Sequence, residues 1–112
     1  MDTRVGNTWI EKREYPRIKA DCPVRYQLET EDTWHEAILI DYSATGVRIK
    51  CEELIFKGTK IRIEVEPGCA KNVPAFSAEG IAVRFSLDED HNFHIGCEFN
   101  KPITSLIKKL SN

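Results

Sequence analysis

The stretch KIRIEV at residues 60–65 alternates strictly between charged and apolar side chains. Ile61, Ile63 and Val65 fall on one face of an extended chain and the charged residues on the other, because successive side chains of a β-strand point to opposite faces. One apolar and one charged face are typical of a strand in an antiparallel sheet with a single buried side. The stretch therefore predicts a half-buried β-strand.

Similar alternation recurs on both sides of this strand, and turn signals such as Pro67-Gly68 separate the segments. A stretch at 34–40 that is apolar on both faces near its end predicts that something packs over its outer face. Gly80 predicts a bulge or bend of the kind that lets a sheet curl. The predicted fold is all-β, a six-stranded antiparallel barrel with strands at about residues 24–29, 34–40, 46–51, 60–65, 76–85 and 93–99.

The C-terminal segment has helical rather than strand periodicity. Its apolar residues are spaced at i, i+3, i+4 and i+7, which predicts one apolar stripe on a short helix at about residues 102–110 that docks on the sheet: Ile103, Leu106, Ile107 and Leu110. We expect residues 1–10 to form a flexible leader and residues 11–112 to form one domain.

Length and charge limit the classes of function. A chain of 112 residues with 41% hydrophobic content buries one core, and a formal net charge of -2 argues against a grip on long nucleic acid. The start lacks the apolar region of a secretory signal, and no apolar run is long enough to cross a bilayer, so we expect a cytoplasmic protein without membrane insertion. Four cysteines without a C-x-x-C pair predict free, mostly buried thiols and no zinc site.

Two short motifs carry the functional signal. Arg13 and Arg17 are four residues apart, and Pro16 between them disfavours helix, so the two arginines lie on an extended or turned segment. Asp41, Ser43 and Gly46 follow between two predicted strands. The planar fork of arginine binds phosphate oxygens bidentately, and an ionised carboxylate only accepts hydrogen bonds.

In this order, R-x-x-x-R before the first strand and D-x-S-x-x-G between later strands, the motifs resemble those of the PilZ domain, a bacterial receptor module for cyclic di-GMP. The resemblance covers about residues 11–100 and implies the same barrel. It implies that the protein binds cyclic di-GMP and relays this to a protein partner by ordering of the N-terminal arginine segment. Neither the partner nor a homodimer is specified by the sequence.

The resemblance also assigns roles to single residues. It makes Arg13 and Arg17 ligands of phosphate and guanine, and Asp41 and Ser43 the pair that reads the base. Gly46 is the glycine at the strand entry, where a missing Cβ allows a positive φ and a close approach of the backbone. Two further residues are weaker candidates for a role. Lys12 stands at the position that helps decide how many ligand molecules are bound, and Trp9 could stack on a guanine or pack on the barrel.

Other interpretations of these motifs remain open. The arginines could be solvated residues paired with glutamates, and Asp41-Tyr42-Ser43 could be a plain turn. The main alternative function is a PilZ-like adaptor that binds no nucleotide and acts through protein contacts in motility or pilus assembly. A barrel for single-stranded nucleic acid predicts a basic groove with aromatic platforms, and outward positions here are mixed in sign.

Catalysis and metal binding have weaker support. His35 with Ser43 and Asp41 lacks any signal for an oriented base or an oxyanion hole, so we expect a protein that is not an enzyme. His91 and His94, with Asp88 and Asp90, fall across a turn, where solvated polar residues are ordinary, and we predict no metal site and no cofactor apart from the nucleotide ligand.

Overall fold

The computed structural model describes residues 17–66 and 75–102, which form six β-strands. The strands are β1 (Ile18–Leu28), β2 (His35–Tyr42), β3 (Gly46–Cys51), β4 (Lys60–Val65), β5 (Phe76–Leu87) and β6 (Phe93–Phe99). They form a closed barrel in the order β1-β2-β3-β6-β5-β4, in which β4 returns to pair with β1. Every pairing is antiparallel, which confirms the predicted fold class. The leader at 1–10 and residues 103–110 of the predicted helix lie outside the described residues.

Strand β1 begins at Ile18, about six residues before the predicted start. Its apolar positions alternate from the first residue, but Pro23 obscures the pattern because proline weakens any strand prediction. The pairing of β1 with β2 is irregular between Lys19 and Cys22, next to this proline. An irregular ladder tolerates a residue that donates no backbone hydrogen bond.

The core fills the inside of the barrel with one or more side chains from each strand. Tyr26 on β1 and Leu39 on β2 are almost fully buried, and the inward residues of the other strands pack against them: Ile49, Ile63, Ala82 and Ile95. KIRIEV contributes Ile61, Ile63 and Val65 to this core, as its alternation predicts. Among residues 17–66 and 75–102 there is no helix with the length and apolar character needed to cross a membrane.

Two sequence expectations about the barrel are wrong in detail. The irregularity in β5 lies between Ala82 and Arg84, not at Gly80. Gly80 is needed because a Cβ there would overlap the carbonyl oxygen of Glu98 on β6. Cys22 is disulfide-bonded, so the prediction of four free thiols is wrong, whereas Cys51 and Cys97 are free and buried.

Candidate functional site

The candidate site lies on the outer face of the barrel, where β2 ends between β1 and β3. Leu39 points into the core, and a residue two positions later on a regular strand would point there too. The pairing of β2 with β3 is irregular between Leu39 and Asp41, so Asp41 pairs with the outward residue Arg48 while Tyr42 returns to the core. The bulge therefore turns the Asp41 carboxylate outward.

Arg17 contacts this carboxylate directly. Its Nε lies 3.1 Å from Oδ1 of Asp41, and its Nη2 also donates to Oδ1. The contact is possible because Arg17 immediately precedes β1, whose residue Lys19 is paired with Asp41. The Asp41 side chain is 15% exposed and that of Arg17 is 39% exposed. The structure thus joins the two sequence motifs, 24 residues apart, in one ion pair.

Arg48 is a site residue that sequence reasoning missed. Its Nη2 lies 3.2 Å from Oδ2 of Asp41, on the other side of the carboxylate from Arg17. Arg48 pairs with Asp41 across the β2–β3 hairpin. Counting outward from the tight turn between residues 43 and 46 pairs Asp41 with Arg48, so the register of that turn could have revealed the pair. Strand alternation conceals it, because without the bulge after Leu39 the Asp41 side chain would point into the core.

The Ser43 hydroxyl lies inside the turn rather than facing solvent. Ser43 is 2% exposed, and its Oγ accepts a hydrogen bond from the backbone N–H of Thr45 at 3.2 Å. The hydroxyls of Ser43 and Thr45 are also 3.2 Å apart, and the Ser43 N–H donates to the carbonyl of Gly46 at 2.8 Å. In this conformation Ser43 shapes the loop that follows Asp41.

Gly46 is required by strand packing. A Cβ on this residue would overlap the carbonyl oxygen of Cys97 on β6. The φ of Gly46 is not in the left-handed region, unlike that of Gly58, so the expected positive φ is wrong. The expected close approach of the backbone does occur at Gly46, but toward β6.

An aromatic cluster supports the site from inside the barrel. The ring of Tyr42 lies 6.2 Å from that of Phe76, which in turn lies 6.1 Å from the ring of Phe99 in an edge-on arrangement. Burial raises the pKa of Tyr42 above its ordinary value. The residue next to Asp41 is therefore anchored in the core, which limits the movement of the carboxylate.

The surroundings of Asp41 are mostly basic. Across the outer face, the paired positions run from Lys19 through Asp41 and Arg48 to Gly96 and Arg84. The Arg84 side chain lies against Gly96, since a Cβ there would meet its Cγ at 3.0 Å. The row places Lys19 and Arg48 on the strands beside Asp41 and Arg84 two strands beyond Arg48, a charge distribution that favours an anionic ligand. Arg13, Lys12 and Trp9 lie outside the described residues.

The residues considered as a catalytic triad, Ser43, His35 and Asp41, do not lie together in the structure. His35 begins β2 and Asp41 lies near its other end, roughly 20 Å apart at the rise of an extended strand. The His35 imidazole instead lies 2.7 Å from Oε1 of Glu31 and stacks on Tyr26. The Tyr26 hydroxyl donates to Glu53 at 2.6 Å, so these polar groups have protein partners.

Asp88 organises the turn between β5 and β6. Its Oδ1 accepts hydrogen bonds from the backbone N–H groups of Asp90 at 2.8 Å and Asn92 at 3.0 Å, and its Oδ2 lies 3.0 Å from the His94 imidazole. These contacts hold the pKa of Asp88 below its ordinary value, and the hydrogen bond from the backbone N–H of Asn92 has the largest effect. His91 has a φ of 67°, which is typical of a tight turn.

Comparisons with known proteins agree with the fold. The family model described as "PilZ domain" matches residues 11–111. No curated protein sequence matches the chain. Among the solved structures that share the fold, three have TM-scores of 0.69, 0.64 and 0.58 and identities of 17%, 17% and 15%.

The first of these is the Bacillus subtilis inhibitor of motility MotI/DgrA, the second is the PilZ domain of YcgR from Escherichia coli with c-di-GMP, and the third is the PilZ domain of CeSA from a cellulose-synthesizing bacterium. The matches cover 88%, 89% and 86% of this chain. The chain spans about half of the Bacillus protein (48%), but 86% and 95% of the other two.

Proposed function

This chain belongs to the PilZ domain family, and we propose that it is a bacterial, cytoplasmic receptor for cyclic di-GMP and not an enzyme. The proposed ligand site consists of Arg13, Arg17, Asp41 and Ser43, with Gly46 at the strand entry and Lys12 beside the arginines. One relative by fold, the YcgR domain, is a structure with this ligand. The family membership supports the ligand class, and the local geometry supports the residues.

The observation that carries the proposal is the contact between Arg17 and Asp41. Two motifs that are distant in sequence meet through a guanidinium and a carboxylate on the outer face of the barrel. These are the groups that a guanine nucleotide needs, because guanine presents two donors on its Watson-Crick edge and its phosphates present acceptors. The basic residues of β1, β3 and β5 around them suit a ligand with two phosphodiester charges.

Ligand binding in this proposal is an exchange of partners. Arg17 leaves Asp41 and donates to a phosphate or to guanine, and Asp41 accepts hydrogen bonds from guanine N1 and N2 instead of from Arg17. Both groups keep a charged or strongly polar partner throughout, so the cost of breaking the ion pair is offset. The Ser43 hydroxyl takes part if the turn opens, and otherwise holds that turn in shape.

The signal would pass through the segment before β1. Arg17 is separated from the first paired residue, Ile18, by a single peptide bond, so a ligand that holds Arg13 and Arg17 fixes that segment against the barrel. Ordering of an arm changes the surface offered to a protein partner. In this family-based proposal the partner is a protein of unspecified identity, and the number of ligand molecules depends on Lys12.

Calorimetric titration of the purified chain with cyclic di-GMP tests the proposal. We expect saturable binding, with Arg17→Ala weakening it by about 1 to 3 kcal/mol, the scale of a bidentate contact to guanine. Arg62→Ala is the matched control, because Arg62 is similarly exposed at 47% but pairs with Glu79 on the outer face of β4 and β5.

Absence of binding up to roughly 100 μM, weaker than about 5.5 kcal/mol, would reject the receptor function. The adaptor that acts only through protein contacts would then be favoured, and several exposed apolar side chains are candidates for such contacts: Phe56, Phe85 and Leu87. Equal affinity of wild type and Arg17→Ala would reject the site but not the ligand.

A further inference from the structure

We propose that Arg48 is a positioning residue that holds the Asp41 carboxylate in place for reading guanine after Arg17 has turned to the phosphate. This inference rests on the proposed function and adds a residue from β3 to the site. Arg48 lies outside both sequence motifs, two positions after Gly46. It does not need to touch the ligand, because it acts through Asp41.

The two arginines hold different oxygens of one carboxylate. Arg17 donates to Oδ1 from its Nε and Nη2, and Arg48 lies 3.2 Å from Oδ2. Within the described part of the chain, these are the two ion pairs of Asp41. An ionised carboxylate offers about four acceptor positions, so one contact from Arg48 leaves the Oδ1 side available once Arg17 departs.

The departure of Arg17 is costly unless another cation remains. Asp41 is only 15% exposed, and a carboxylate that is largely removed from water is destabilised when its cationic partner leaves. Arg48 keeps the charge compensated during the exchange. It also fixes the plane of the carboxylate, so that the acceptors face the position from which guanine approaches.

Arg48 is better held than Arg17, which makes it suited to this task. It lies in the middle of β3, between Val47 and Ile49, which are 1% and 0% exposed and pack in the core. Its backbone is paired with Asp41 on one side and with Gly96 on the other. Arg17, in contrast, precedes the first paired residue of β1. The fixed arginine orients Asp41, and the terminal arginine exchanges partners.

The test compares two ligands that differ at one group read by Asp41. Cyclic di-GMP and its inosine analogue carry the same phosphates, but hypoxanthine lacks the 2-amino donor of guanine. We expect wild type to favour the guanine ligand about tenfold, the usual scale of one specific hydrogen-bonding contact. In Arg48→Gln this preference should fall to less than about threefold, with a larger loss for the guanine ligand than for the analogue.

Two variants separate positioning from a general effect on the barrel. Arg48→Lys keeps a cation near Oδ2 and should restore part of the preference for guanine. If Arg48→Gln acted only by damaging packing, Arg48→Lys would not restore that preference. Arg62→Gln removes a similarly exposed arginine from an ion pair on β4 and should leave the preference unchanged. Thermal unfolding of each variant shows whether the barrel remains folded under the titration conditions.

The possible outcomes distinguish this inference from the proposed function. If wild type binds neither ligand, the receptor function fails. If wild type binds and Arg48→Gln binds both ligands as wild type does, Arg48 has no role in the site. If Arg48→Gln loses affinity equally for both ligands, Arg48 contacts the phosphates directly, and the positioning role is wrong. A wild type without preference for guanine also overturns it.

Discussion

At the scale of single residues, the site depends on a few positions where side-chain chemistry and backbone geometry meet. Asp41 is outward because β2 is irregular just before it, and its two oxygens have separate arginine partners. Gly46, five residues later, allows β3 to approach β6. One motif therefore contains a residue with a proposed role in ligand binding and a residue for strand packing.

Replacement of Gly46 by alanine should destabilise the barrel. The new Cβ would overlap the backbone carbonyl of Cys97, which cannot move without displacing β6, and overpacking of this kind costs about 1 to 3 kcal/mol. Urea unfolding followed by fluorescence measures the loss. Gly96→Ala is the control, because its Cβ would press only on the flexible Arg84 side chain. Equal stability of both variants would contradict this explanation.

At the scale of elements, the sequence predicted the strands, whose apolar and polar side chains alternate, and missed the bulge that interrupts this alternation. All six strands could be found, because inward apolar positions repeat every second residue, as in KIRIEV. The outward position of Asp41, on which its partnership with Arg48 depends, could not be found, because it results from a bulge between Leu39 and Asp41 that tertiary packing determines. The meeting of Arg17 with Asp41 was implied only by family resemblance, since sequence spacing does not reveal strand register.

The Asp88 carboxylate in the turn between β5 and β6 should make the stability of this hairpin depend on pH in the acidic range. The pKa of Asp88 is lower in the folded state, chiefly through the Asn92 amide, so its stabilising effect is complete above the pKa of the unfolded chain. The effect is lost as pH falls through the lower, folded pKa. We expect Asp88→Asn to be less stable than wild type at pH 7 and to differ little at about pH 2. Thermal unfolding across this pH range checks it, and a constant difference would exclude the carboxylate as the cause.

At the scale of the whole molecule, closure of the barrel keeps its interior side chains away from water. Cys97 lies inside the barrel, and burial raises the pKa of its thiol to about 12. Cys51, also buried, has a raised pKa for the same main reason. Both thiols are therefore neutral in the folded protein at pH values where an unfolded chain would ionise them.

Alkaline conditions should weaken the fold through these thiols. A raised folded pKa means that the contribution to stability is complete below the ordinary thiol pKa of about 8.5 and decreases as pH rises from there toward the folded value. The free energy of unfolding of wild type should fall between about pH 8.5 and pH 11, and this fall should be smaller in Cys97→Ala. Urea titrations at several pH values measure both slopes, and identical slopes would show that Cys97 does not contribute.

The pairing of β4 with β1 also limits how another protein can bind. Within the described barrel each strand has a neighbour on both sides, so no strand is an edge strand along its whole length. Closure therefore disfavours the addition of a partner's strand to this sheet, a common way of capturing peptides. It favours recognition of the barrel through side chains, loops or the segments that flank it, and in the proposed function these are the parts that a bound nucleotide would rearrange.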